Sequence, residues 1–467
     1  MAATGDGAGA RRGLLVAVAA GLLARFWLAA RLPLGDDELY YRLWARHLAW
    51  SYPDHPPMIA AVVALSTRLF GDGPLGIRGL CVALATLVPL AVYGAGRALF
   101  GEAAARRAAW AVLLLPAFAV GGAFAFPDTL LAVFWALAIW CGWRALRDGG
   151  AWWVAAGAAV GGALLSKLTG FALVLGIVGA WLTARPRTRD AWLPVGAALA
   201  AALFLPVVVW NLRHHWMLVQ VTLGREPWIG TGTWVERVAL FAGGQVAYYG
   251  VMAPALVAAA VVAARRAQQA RWRYLAWASL PLFLVMSASA VFGRTKPHWP
   301  GPAYLAAALA LGGLEEAWTG RWVRWLRVAV GATAAVAVAM TLAGLSPWGV
   351  ATVGRGIGDW DRAAAVVARH AAALPGPVVV LADSYQAASH LAYRLEPRLP
   401  VIGVERAFLL WHRPEMWVGR RAVAVEEPGG TPLDLERRCV APRRLDEIAL
   451  GPGRVAVVWA CEALRLP

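Results

Sequence analysis

Apolar residues run along this chain in stretches too long for the buried face of a soluble helix. A helix that crosses a bilayer needs about 20 mostly apolar residues. Eleven stretches approach that length: 13–30, 79–96, 108–123, 130–143, 151–165, 171–184, 191–210, 238–264, 274–292, 301–314 and 328–346. The pattern predicts an α-helical polytopic membrane protein with about eleven transmembrane helices. The first stretch is followed by a long series of others, so it reads as a span and not as a cleaved signal. Beyond residue 346 the long runs give way to short pieces, Pro377-Val378-Val379-Val380-Leu381, Ala422-Val423-Ala424-Val425 and Arg454-Val455-Ala456-Val457-Val458-Trp459. A helical pattern over 385–395 lies between the first two. The expected division is a membrane domain over 1–346 and a small α/β domain over 347–467.

Composition agrees with a chain that faces lipid. Hydrophobic residues make up 60% and charged residues 15%, against about 45–50% and 25% in soluble domains. Disorder, a disulfide scaffold and a collagen-like fibre are excluded. The net charge of +17 adds a question, because such an excess suits nucleic acid, an anionic surface or membrane topology. Its distribution answers it. With the N-terminus in the cytoplasm, the inner connections are 1–12, 97–107, 144–150, 185–190, 265–273 and 315–327; the outer ones are 31–78, 124–129, 166–170, 211–237 and 293–300. Basic residues are about two and a half times denser in the inner set, as the positive-inside bias requires. They are spread over several loops and form no single face, so a nucleic-acid partner is not expected. An odd number of spans places the tail outside the cell's inner (plasma) membrane, as an extracytoplasmic domain. Cys439 and Cys461 both fall there, on the oxidising side, where a disulfide can form; Cys81 and Cys141 sit in spans and read as packing.

Several polar groups do not fit a lipid-facing chain. The outer connection 31–78 is too long for a turn. It carries Gly35-Asp36-Asp37-Glu38 and then, from Tyr40 on, helical spacing that suggests a helix along the interface. A cap and first-turn charges account for one acid, not three in a row; ionisable groups at membrane depth are usually functional. The same loop continues Tyr52-Pro53-Asp54-His55-Pro56-Pro57, whose prolines forbid helix through His55 and start the next helix at Pro56 or Pro57. This is either a plain turn or an Asp–His pair held where an imidazole meets a phosphate. Asp128, in Phe126-Pro127-Asp128-Thr129, reads by itself as a helix cap. It is also a second outer-face carboxylate beside Asp37, and paired carboxylates suit proton transfer.

The two lysines are the sharpest signal. Of 44 basic residues only Lys167 and Lys296 are not arginine, and both fall at predicted outer ends of spans. A compact ammonium on a flexible stem suits a phosphate as a point charge. Snorkelling explains each lysine singly but not their absence elsewhere. With 26 Trp in the chain, these groups suggest a site for a phosphate-bearing lipid and a polar group such as a sugar. Trp also forms ordinary interfacial belts.

Taken in order, Asp37-Glu38-Leu39-Tyr40-Tyr41, Asp54-His55-Pro56-Pro57, Pro127-Asp128-Thr129, Ser166-Lys167-Leu168-Thr169-Gly170, Trp210-Asn211 with His214 and Trp216, and Lys296-Pro297-His298-Trp299-Pro300 with Tyr304 resemble the bacterial glycosyltransferase family 39 proteins. These are relatives of protein O-mannosyltransferases and of the lipid A aminoarabinose transferase. The tail segment Asp383-Ser384-Tyr385-Gln386-Ala387-Ala388-Ser389 is similar to one found after the last span in many of them. The resemblance implies a GT-C fold and transfer of a hexosyl or pentosyl group from a polyprenyl-phosphate carrier, at the outer membrane face, to a lipid, glycan or protein acceptor. It implies Asp37 as the catalytic base and Asp128 as a second site carboxylate. It implies Lys167 as the site lysine, joined by Lys296, with Glu38, Tyr41, Asp54, His55 and His298 binding substrate. His55 stands where the aminoarabinose transferase has a lysine, and Asp54 where it has Glu; Asp36 is an extra acid beside the motif. A departing phosphate needs cations and an attacking hydroxyl needs a base, and a single displacement inverts the sugar. No cofactor is required, although a divalent cation beside Asp54 is compatible with the pattern. The rival readings are a transporter or flippase of lipid-linked sugars and a membrane enzyme of another class. Neither an internal repeat nor a histidine deep in a span is visible in the sequence.

Overall fold

In the computed structural model, the residues described are 4–184, 190–224, 232–405, 408, 410–411, 414–427 and 433–465. Parts of the expected connections 185–190 and 211–237 lie outside them. The chain divides into two compact units, Met1–Ala30 with Trp50–Ala343, and Arg31–Ala49 with Gly344–Pro467. The joining of the short segment Arg31–Ala49 to the C-terminal unit is an association that no local sequence pattern carries.

The regular elements of the first unit are all helices among the described residues. Six helices are long and apolar enough to cross a membrane: Gly9–Arg31, Pro74–Phe100, Pro127–Asp148, Trp192–Arg213, Ala270–Val291 and Val323–Leu345. Two of the expected spans are not straight. The stretch 108–123 is Glu102–Leu114 followed by Pro116–Ala123 at 75°, and 238–264 is Trp234–Tyr249 followed by Ala253–Arg265 at 101°. The first break falls at Pro116, which cannot supply the amide a continuing helix requires. The second falls at Gly250, whose φ of +70° ends the helix and which packs on Thr333. Counting each bent pair as one span gives eight. The remaining three expected spans are the shorter apolar helices Trp152–Ser166, Leu168–Ala184 and Gly301–Gly313. The second span begins at Pro74, earlier than residue 79, which shortens the preceding outer loop.

A short apolar helix in the interior of a bundle need not match the bilayer thickness. Gly301–Gly313 is buried on every side up to Gly312 and packs against Glu102–Leu114, Ala253–Arg265 and Ala270–Val291. Its Ala-rich surface permits that close approach. The same logic joins Trp152–Ser166 to Trp192–Arg213. A methyl group on Gly157 would lie 2.0 Å from the carbonyl oxygen of Gly196, so the two backbones touch.

The second unit is α/β. Its main sheet is built from β1 (Val378–Ala382), β2 (Val401–Gly403), β3 (Arg421–Glu426), β5 (Arg443–Gly451) and β6 (Arg454–Cys461), in the order β2-β1-β3-β6-β5. β2, β1 and β3 are parallel, whereas β6 and β5 add antiparallel. β4 (Cys439–Val440) and β7 (Ala463–Leu464) form a separate pair. The three expected strands are β1, β3 and β6. β5 carries exposed charges along much of its length, as edge strands do, and so lacks an apolar signature. The helix Tyr385–Leu395 follows β1 at the expected position. Cys439 and Cys461 are joined in a disulfide, and Cys81 and Cys141 are buried and free.

Candidate active site

Within the first unit, the helix Pro127–Asp148 opens with Pro127 in its first turn and Phe126 as an extended cap. Asp128 is therefore not the cap that the isolated sequence suggests. Both of its oxygens go instead to Lys167, whose Nζ donates to Oδ1 at 2.7 Å and to Oδ2 at 2.8 Å. Lys167 ends the helix Trp152–Ser166 in an extended conformation, just before the turn Leu168–Gly170. Its side chain is 7% exposed and that of Asp128 29%. A buried ammonium requires such a partner. The third face of Lys167 is covered by the Trp299 ring, 4.8 Å from Nζ.

The segment bearing Lys296, His298 and Trp299 is irregular, so other groups must fix it. Gln245 Nε2 donates to the Pro297 carbonyl at 2.9 Å, and the Tyr249 hydroxyl donates to the His298 carbonyl at 2.7 Å. Tyr304 in turn donates to Gln245 Oε1 at 3.2 Å and stacks on Tyr249 at 3.9 Å. Thr295 is buried and donates to Met286 Sδ. The charges of Asp128, Lys167 and Lys296 all act on His298. Burial, helped by the two lysines and opposed by Asp128, pushes this imidazole down to about 4, so it is neutral near pH 7. The influence of His55 reaches Asp128 as well. His55 and Asp54 are half-buried just before the helix Met58–Phe70, which Pro57 caps. The structure thus gathers Asp128, Lys167, Lys296, His298 and His55 from four separate parts of the sequence.

Asp37, Glu38 and Tyr41 belong to the second unit, on the helix Asp36–Arg46. The acidic triplet occupies its first turn, and each acid has a distinct partner. Glu38 is buried and its Oε2 accepts the Gly35 N–H at 3.1 Å, which closes the helix start. Asp36 Oδ1 lies 2.7 Å from His390 Nε2. Asp37 Oδ1 accepts the Tyr385 hydroxyl at 2.9 Å. Burial lowers the His390 pKa despite Asp36, and Arg394 approaches its Nδ1 at 3.2 Å. A neutral imidazole that donates from Nε2 and accepts at Nδ1 satisfies both contacts. Trp360 stacks on the same ring at 4.8 Å. Tyr41 is buried against Trp44 at 5.2 Å, and Tyr40 packs on Tyr385 at 4.8 Å.

Sequence reasoning did not assign roles to Tyr385, His390, Gln245 or Tyr249. The tail motif 383–389 is the available signal for Tyr385 and stops one residue short of His390; the Gln and Tyr carry none, since they support backbone carbonyls. Asn211, part of the ordered motif set, has a structural job. Its side chain donates to the Val207 carbonyl at 2.9 Å and accepts the Leu218 N–H at 3.2 Å, which holds a turn containing the positive-φ residues His215 and Trp216. Among the described residues, no group of three or more His, Cys, Asp or Glu side chains could hold a metal ion.

Comparison with known proteins bears on the same segments. The family model for dolichyl-phosphate-mannose-protein mannosyltransferase matches residues 54–210, which include Asp54, His55, Asp128 and Lys167. The lipid A galacturonosyltransferase RgtD of Rhizobium johnstonii is 28% identical over 378 residues, 77% of each chain. The crystal structure of ArnT from Cupriavidus metallidurans superposes with a TM-score of 0.67 at 19% identity, over 97% of this chain and 98% of that one. The same protein bound to undecaprenyl phosphate gives 0.66 at 19% identity, over 96% and 97%. An archaeal oligosaccharyltransferase, AglB of Archaeoglobus fulgidus, gives 0.53 at 14% identity, over 89% and 69%. The fold is the GT-C fold of these multi-pass membrane proteins. Within that fold the sequence is similar to the family 39 glycosyltransferases.

Proposed function

We propose that the protein transfers a sugar from a polyprenyl-phosphate carrier to a hydroxyl or phosphate acceptor at the outer face of the inner membrane. The N-terminus is cytoplasmic and the C-terminal unit extracytoplasmic. The reading is carried by the buried Lys167–Asp128 pair with Trp299 across the ammonium, in a segment matched by the mannosyltransferase family model. The undecaprenyl phosphate bound by ArnT supports the carrier class, and the galacturonosyltransferase relative suggests a uronic acid as one sugar to test.

In the reaction, an acceptor oxygen attacks the anomeric carbon as the bond from that carbon to the carrier phosphate breaks. Asp37 takes the acceptor proton, and the configuration inverts in this single displacement. The leaving phosphate already carries negative charge and needs cations more than a proton. Asp128 holds two of the three ammonium hydrogens of Lys167, which orients the third; Lys296 adds a second positive charge, and neutral His298 donates or accepts a hydrogen bond. No step needs a metal, and a divalent cation beside Asp54 would only add to the charge on the phosphate.

The test is a reconstituted transfer assay with labelled polyprenyl-phosphate sugars, galacturonic acid among them, on wild type, Asp37→Asn and Lys167→Ala. Transfer by wild type and loss in both variants is expected. Full activity in Asp37→Asn would overturn the base assignment. Movement of the lipid across vesicles without any sugar transfer would make the protein a transporter.

A further inference from the structure

The first unit has a second feature, remote in sequence from the lysine cluster. A groove of about 510 Å³ is lined by Gly13, Arg106, Arg107, Trp110, Trp318 and Val330, with Met252 and Leu114 further along it. Its walls come from the start of Thr4–Arg31, the length of Glu102–Leu114 and the segment around Trp318, three regions whose arginines fall in the expected inner connections. Met252 sits at the break between Trp234–Tyr249 and Ala253–Arg265, within the stretch expected to cross the bilayer. The groove therefore runs from a basic end toward the apolar interior, which is the layout of a lipid: headgroup first, acyl chain beyond.

The two arginines at its basic end have unused capacity. A guanidinium carries five donors. Arg106 NH1 is buried without a hydrogen-bond partner and lies 3.7 Å from Glu102 Oε1. Glu102 is already shared, since Tyr93 donates to both of its oxygens and Arg97 approaches at 3.3 Å. Arg107 makes one long bond, 3.4 Å, to the Gly312 carbonyl and lies over the Trp318 ring at 5.4 Å. Arg11 and Arg12 stand next to the lining residue Gly13 in sequence and add positive charge, against the acids Glu102, Glu315 and Glu316 on the neighbouring segments. The Trp318 indole donates to the Leu311 carbonyl at 2.9 Å, which fixes its ring. Tryptophans at headgroup depth and basic pockets between spanning helices are how membrane proteins hold anionic lipids.

We propose that this groove binds an anionic glycerophospholipid from the leaflet at the arginine-rich end, with an acyl chain along Trp110, Val330 and Met252 and the phosphate diester on Arg106 and Arg107. The site is separate from sugar transfer.

Native mass spectrometry of the full chain, released from micelles holding equal amounts of phosphatidylglycerol and phosphatidylcholine, tests it. Two arginines near the headgroup favour an anionic lipid, so wild type should retain phosphatidylglycerol at least about tenfold over phosphatidylcholine. The double variant Arg106→Gln/Arg107→Gln should lose that preference, and Arg106→Lys/Arg107→Lys should keep most of it. Gly13→Phe supplies a plug without altering charge: a Cβ there meets nothing within 4 Å, so the ring has room to enter the groove. It should lower retention of both lipids. Equal retention of the two lipids by wild type would overturn the proposal, as would a preference that survives both the glutamine and the phenylalanine variants. Polyprenyl phosphate outcompeting phosphatidylglycerol at Arg106 and Arg107 would overturn it too. Lys167→Ala should abolish transfer and leave lipid retention intact, so the proposed function and this site fail separately.

Discussion

The Lys167–Asp128 pair is the interaction on which the proposed chemistry most depends, and its energetics can be worked from the geometry. Charges 2.7 Å apart attract by about 6 kcal/mol at an effective dielectric near 20. Desolvation consumes much of that. Removing one partner of a buried pair costs about 3–5 kcal/mol because the other is left uncompensated. Asp128 is 29% exposed, and water that reaches it reduces the cost to about 2–3 kcal/mol. Lys167→Met should therefore destabilise the protein by that amount. Asp128→Asn should cost somewhat less, because its amide oxygen still accepts from the ammonium. The double variant should cost no more than the worse single one, a coupling of about 2 kcal/mol. In transfer kinetics the same coupling makes kcat/KM for the double variant about thirtyfold higher than the product of the single effects predicts. The assay is a double-mutant cycle on thermal unfolding in detergent and on kcat/KM for the labelled donor. Additivity within about 0.5 kcal/mol in both readouts would refute the idea that the two residues act as one unit.

Four further outcomes follow from contacts already described. Tyr385→Phe removes a hydrogen bond to an ionised carboxylate, worth about 1.5–3 kcal/mol; kcat should fall at least about tenfold with KM little changed, and an unchanged kcat would leave Tyr385 with packing alone. His298 has a folded value near 4 against an ordinary 6.5, so the unfolded chain binds its proton first. Stability is then fully present above pH 6.5 and drains as pH falls toward 4; His298→Gln should flatten the unfolding midpoint across that window. Breaking Cys439–Cys461, which closes a separation of 22 residues, should cost about 2–4 kcal/mol, read as a lower unfolding midpoint for the Cys439→Ser/Cys461→Ser variant. Chelation with EDTA should leave transfer unaltered; a loss reversed by added Mg²⁺ would place a cation beside Asp54.

Local pattern carries much of this protein. Apolar run length marked eleven stretches that are helical in the membrane unit, though not the helices Met58–Phe70 and Met217–Gly224, because a backbone in lipid has no alternative to satisfying itself within the helix. It overran only where two runs bend, at Pro116 and at Gly250. In the second unit, short apolar pieces marked β1, β3 and β6, while the charged edge strand β5 was invisible. The rarity of lysine singled out Lys167 and Lys296 without any alignment. The ordered motifs carried the resemblance to the family 39 proteins.

The pairings among these residues were beyond the sequence. Asp128 reads alone as a cap, and only the approach of Lys167, 39 positions away, takes its carboxylate for an ion pair. Three consecutive acids look alike in sequence. Partners from a segment some 350 positions later separate them, with Tyr385 on Asp37 and His390 on Asp36, while Glu38 turns back to its own helix start. The sequence by itself determined which segments are apolar enough for a membrane and which residue types are out of place there, since both follow from transfer free energy summed over neighbours. The tertiary structure decided which charge meets which, because a carboxylate's partner depends on distance in space and not on distance along the chain.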